Sequence, residues 1–153
     1  MGMQTLIDSA DFFVQSRDIG TPALLNVTAT ATGTNVSADQ QNTLQKGVCL
    51  YVNLTSVAAT ATLGINLQGK DPVSGNYALI ARASLDAQAT LAAASTSMVQ
   101  VYPGLTTQAS LSGGSAVLNA VLPMTWRIAV SITAIASGGG ANVGYTVGQS
   151  RIL

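Results

Sequence analysis

The sequence predicts an all-β fold: an antiparallel β-sandwich, jelly-roll-like, with about eight short strands. Three observations lead there. Apolar and polar residues alternate over several short runs, the two-residue period of strands with one face buried and one wet. Segments rich in Gly, Pro, Asn and Ser separate those runs, as turns between strands require. No stretch carries helical spacing for more than about two turns, so crossover helices are not expected.

In chain order, Phe12 to Gln15 reads as an edge strand that sends Phe12 and Phe13 to opposite faces. Leu25 to Thr30 is a weak strand, followed by turn residues Thr32-Gly33-Thr34-Asn35. Val48, Leu50, Val52 and Leu54 then share one face, against Cys49, Tyr51, Asn53 and Thr55 on the other. Leu63, Ile65 and Leu67 repeat the pattern. Asp71-Pro72-Val73-Ser74-Gly75 is a loop in which Asp71 suits an Asx-type turn and the glycine a positive φ. Weaker strands are expected at Tyr77 to Ala83 and Met98 to Tyr102, with Ser112-Gly113-Gly114-Ser115 as punctuation. Trp126, Ile128, Val130 and Ile132 form a strong alternating strand, as do Val143, Tyr145 and Val147, with Ser137 to Asn142 as the tip between them. Thr5 to Phe13 and Asp86 to Ala94 have room for about two helical turns each.

At 153 residues one domain is expected, and roughly 70% of the unfolded chain's surface can be buried without disulfides or metals. Residues 1–22 are expected to be an N-terminal arm and 23–153 the sandwich. Asp8, Asp11, Arg17 and Asp18 put four of the chain's twelve charges in the arm. It also holds more apolar surface than a solvated tail retains, so Leu6, Ile7, Phe12, Phe13 and Arg17 are the candidate contact residues for a docking partner or a neighbouring copy. The rival reading makes the arm an extra strand of the sandwich.

Composition narrows the function. Six Lys and Arg balance six Asp, with no Glu and no His, and 8% of residues are charged against about 25% in ordinary soluble domains. Six dispersed cations give no electrostatic footprint for nucleic acid. Mean hydropathy is +0.40, but the uncharged stretches Ala87 to Trp126 and Ile128 to Ser150 are interrupted by polar residues and hold no run of about 20 apolar ones. The seven aromatics are too few for the girdles of an outer-membrane barrel, so no membrane partner is expected. Asp8 and Asp11 break the N-terminal apolar stretch, unlike a secretory signal, and synthesis in the cytoplasm is the expectation.

Nothing in the sequence points to catalysis, a metal or a cofactor. Without His the usual general base and metal ligand are missing, and the single Cys49 excludes an intrachain disulfide and a cysteine zinc knuckle. The six Asp residues are dispersed, with no reason to converge as a glycosidase pair or a calcium site. Cys49 reads as a small packing residue or a quiet, half-exposed thiol, and Trp126 as a core residue with a sugar platform as the rival role.

Ser37-Ala38-Asp39-Gln40, the run from Lys46 through Val48-Cys49-Leu50-Tyr51-Val52 to Thr55, and Leu67-Gln68-Gly69-Lys70-Asp71-Pro72-Val73-Ser74-Gly75-Asn76-Tyr77 resemble a family of tailed-bacteriophage virion proteins. So do Val101-Tyr102-Pro103-Gly104-Leu105-Thr106, Leu122-Pro123-Met124-Thr125-Trp126-Arg127-Ile128 and Val143-Gly144-Tyr145-Thr146-Val147-Gly148. The resemblance covers roughly residues 37 to 150 in order, and its best functional match is a capsid decoration (cement) protein. It implies a non-enzymatic component on the outer surface of the capsid, bound to the major capsid protein and to copies of itself, a homotrimer before a homodimer. The alternative it leaves is a tail or baseplate module binding host carbohydrate, for which Tyr77 and Tyr102 are the candidate exposed aromatics.

Overall fold

A computed structural model describes residues 23–56, 62–86, 96–107, 115–133 and 143–152. They form ten strands in two sheets. The first sheet contains β1 (Leu25–Ala29), β10 (Val143–Ile152), β4 (Gly47–Ser56), β7 (Thr96–Val101) and β8 (Ser115–Leu118), neighbours in that order. The second runs β2 (Gly33–Val36), β9 (Thr125–Thr133), β5 (Thr62–Lys70), β6 (Tyr77–Asp86), and β3 (Gln40–Gln41) also pairs with β9.

The four strongest alternating runs are all inner strands, β4 and β10 in one sheet and β5 and β9 in the other; β7, expected as a weaker strand, is also inner. Their apolar faces meet in one core. Val48, Leu50, Val52 and Leu54 are buried there with Leu63, Ile65, Leu67, Trp126, Ile128, Val130, Ile132, Val143, Tyr145 and Val147. Full burial of each such aliphatic side chain stabilises the fold by about 1.5–3 kcal/mol. Trp126 is 2% exposed, which makes it a core residue and leaves no sugar platform. Polar links close the ends of the core. Ser37, buried between β2 and β3, donates its N–H to the Ile128 carbonyl and accepts the Ile128 N–H at its Oγ (2.9 and 3.1 Å). Gln149 of the first sheet donates to Gln40 of the second (3.1 Å).

The antiparallel expectation fails at one edge, where β7 and β8 pair in parallel. Residues 102–114 lie between them, about the dozen residues a chain needs to return to the same end of a sheet. Gly104, at φ 86°, makes a turn in the first part of that return. Three strands are additional to those expected: β2, where Gly33-Thr34-Asn35-Val36 offers no alternation and reads as a turn, the two-residue β3, and the four-residue β8. The expected edge strand at Phe12 to Gln15, the N-terminal arm and most of the segment Asp86 to Ala94 lie outside the described residues.

Gly47 begins β4 under the Val101 carbonyl and the Tyr102 ring, with backbone where a side chain would start. Gly47→Ala is expected to destabilise the fold by about 1–3 kcal/mol or more through overpacking. Leu50→Ala is expected to cost about 2–5 kcal/mol. Urea unfolding of the two variants checks both values.

Candidate functional site

Register brings a polar cluster to the outer face of the second sheet. Gln68 lies opposite Arg127, and Lys70 opposite Tyr77. Because Leu67 and Ile128 point into the core, their neighbours Gln68 and Arg127 point out. The Arg127 Nε donates to Gln68 Oε1 (2.8 Å), and its guanidinium centre stacks 3.3 Å from the Tyr77 ring centroid. Asp39, from the β2–β3 connection, accepts Lys70 Nζ at Oδ2 (2.9 Å) and the Tyr77 hydroxyl at Oδ1. The Lys70 ammonium also lies 5.5 Å from the Tyr77 ring centroid. Four segments distant in sequence are thereby clipped together.

The hydrogen bond from Lys70, followed by that from Tyr77, lowers the Asp39 pKa below its ordinary 3.8. Lys70 is raised above 10.5, chiefly by its hydrogen bond to Asp39. The carboxylate therefore stabilises the folded state above the ordinary Asp range, and this contribution is lost as pH falls through the lowered value. The ammonium contributes below its ordinary range, and that contribution is lost as pH rises through the raised value. The clip is complete throughout the interval between.

Beside the clip lies an open groove of about 500 Å³, lined by Lys70, Asp71, Pro72, Gly75, Pro123, Met124 and Thr125. Asp71 shapes its rim as the sequence predicts. Its Oδ1 accepts the Val73 N–H (2.9 Å) and its Oδ2 the Ser74 hydroxyl (2.6 Å), while Gly75 turns at φ 73°. The Ser74 hydroxyl, ahead of the Val73 N–H, lowers the Asp71 pKa. Val73 and Met124 are 94% and 77% exposed at this end of the molecule. Arg82 runs past Gly64 on the same sheet face, so that face carries Lys70, Arg82 and Arg127 against Asp39 and, by register, Asp86 at the end of β6.

Among the described residues no group of three or more His, Cys, Asp or Glu could hold a metal ion. The clip brings together a carboxylate, two cations and a phenol whose hydroxyl donates to that carboxylate. Leu6, Ile7, Phe12, Phe13 and Arg17 lie outside the described residues. Tyr77 and Tyr102 are half-buried: Arg127 covers one ring, and the other packs by Gly47. The tyrosine that stands free is Tyr51, 40% exposed on the outer face of the first sheet. Its signal was its place in the alternation, opposite Leu50 and Val52. Comparison of the chain with protein-family models, with curated proteins and with solved structures finds no match.

In an NMR titration Asp39 is expected to lose its proton below pH 3.8, and Lys70→Met to move that midpoint upward. Burial raises the Cys49 thiol. Its alkylation by iodoacetamide is therefore expected to be slower at pH 7 than that of a free cysteine, and to accelerate on the alkaline side of the ordinary thiol range.

Proposed function

We propose that the chain is a decoration (cement) protein of a tailed bacteriophage, seated on the outside of the capsid and bridging adjacent major capsid subunits. The observation that carries this reading is the pair of unlike outer faces on one small two-sheet body. The second sheet offers the cationic clip and the apolar groove; the first offers an uncharged face. A bridging protein needs two such surfaces and no active site. The resemblance of residues 37 to 150 to virion proteins supports the same role, and in this reading the two sheets form a jelly-roll-like sandwich. Leu6, Ile7, Phe12, Phe13 and Arg17 supply contacts from the arm, and repetition over the shell raises avidity without strong individual contacts. The protein acts without catalysis, metal or cofactor.

Immunogold labelling and quantitative mass spectrometry of particles purified from the source culture test the role. Labelling over the whole head, at a copy number comparable to that of the major capsid protein, is the expected result. Labelling confined to the tail tip would replace this role with the tail or baseplate alternative. In the full chain, Phe12→Ser with Phe13→Ser is expected to lower binding to undecorated heads at least tenfold in a co-sedimentation assay. An unchanged affinity would remove the arm from the contact.

A further inference from the structure

The outer face of the first sheet contains a glycine that the fold itself does not require. Gly148 lies inside β10, directly opposite Tyr51 of β4. A Cβ at Gly148 would meet nothing within 4 Å, and its φ is not positive. By contrast, Gly47, Gly64, Gly69 and Gly144 each have protein atoms where a side chain would begin. Gly33, which is also open, starts its strand rather than interrupting one. A glycine inside a strand weakens it and often marks close approach by a ligand or another backbone. Nothing among the described residues approaches Gly148 in this way.

Its surroundings indicate what would. Tyr51 stands beside the gap, 40% exposed, on the middle strand of the sheet. Around the pair the face presents Asn53, Met98, Gln100, Thr146 and Ser150. The strand positions that face outward with Tyr51 carry no charged residue. In a two-fold interface each group meets the same patch on its partner, so a charged face sets like charges together. The outer face of the second sheet, with Lys70, Arg82 and Arg127, is unsuited to meeting its own copy; the first sheet's face has no such obstacle. The 35 residues of its five strands cover roughly 550 Å² at about 3.3 Å per residue and 4.8 Å between strands. Two copies would bury roughly 1,100 Å², above the ~1,000 Å² expected of a specific interface.

We propose that two copies of this chain pack through the outer faces of their first sheets. The two-fold axis runs along the strands between β10 and β4, in the plane of the interface. That axis sets each Tyr51 ring over the partner's Gly148. It also sets Asn53 over the partner's Thr146 and Cys49 over the partner's Ser150, because these residues are register partners within one copy. Self-complementarity follows from a knob and a gap being adjacent in the same sheet. The pairing does not rest on the capsid reading, but it gives the first sheet's face to a second copy, so that a dimer would meet the shell through its second sheets and its arms; it selects a two-fold arrangement over a threefold one.

Sedimentation velocity and light scattering of the full chain, from about 1 to 200 μM, test it. The wild type is expected to approach twice 15.5 kDa within that range. Gly148→Glu, whose side chain has open space in the single copy, is expected to remain at the mass of one copy with its melting temperature kept within a few degrees. Tyr51→Ala is expected to raise the dissociation constant at least tenfold, and Arg82→Ala on the other face to leave it unchanged. If Gly148→Glu does not fold, Thr146→Glu and Tyr51→Ala carry the test. A wild type that stays monomeric throughout, a mass of three copies, or folded Tyr51 and Gly148 variants that still dimerise with unchanged affinity would each overturn the proposal.

Discussion

The pairing of β10 with β4, and of β9 with β5, sets the position of every surface feature in this protein. Side chains on a strand alternate between faces, so a slip of one residue would turn Val48, Leu50, Val52 and Leu54 to water and bring Cys49, Tyr51, Asn53 and Thr55 into the core. The apolar face forbids that slip, and the outer face is fixed as a consequence. Tyr51 meets Gly148 and Gln68 meets Arg127 because residues one step away in each strand are locked in the core, and Lys70 then meets Tyr77 through the pairing of β5 with β6.

A low overall charge makes the distribution of the few charges decisive. Lys70, Arg82 and Arg127 all project from the second sheet, and only Lys70 is held in an ion pair with Asp39. Arg127 is spread over the Tyr77 ring and tied to Gln68, which orients its guanidinium without neutralising it. Against the uncharged first sheet this small excess gives the body a polar axis. Partners of different chemistry can then be held on opposite sides of one thin protein.

The long inner strands β4, β5, β9 and β10 were legible in the sequence because burial of one face dictates every second residue over a long run; β7, inner but shorter, showed a weaker pattern. The edges were not. β2 and β3 lie along β9, held at their joint by Ser37, whose hydrogen bonds to Ile128 link residues far apart in the chain; no local pattern encodes that contact. β8 has Ala116 and Leu118 in the core but is too short to show a period. The Asx turn at Asp71 was legible because its bonds are local. The clip was not, since Asp39, Gln68, Lys70, Tyr77 and Arg127 become neighbours only through register. Tyr51 could be placed on an outer face from alternation alone, whereas the open space at Gly148 opposite it became visible only with the strands paired.

The order of the strands along the chain also bears on how the molecule is made. Of the described strands β10 is the last to leave the ribosome, yet it lies inside the first sheet, between β1 and β4. β9, the strand before it, occupies the equivalent inner place in the second sheet, between β2 and β5. During synthesis β1 and β4 must therefore wait, apolar faces open, for the strand that joins them. Each sheet lacks an inner strand until one of the last two described strands has been made. Such a topology folds through distant contacts, slowly and as a unit. It leaves the unfinished chain, rather than the finished protein, as the form most exposed to aggregation.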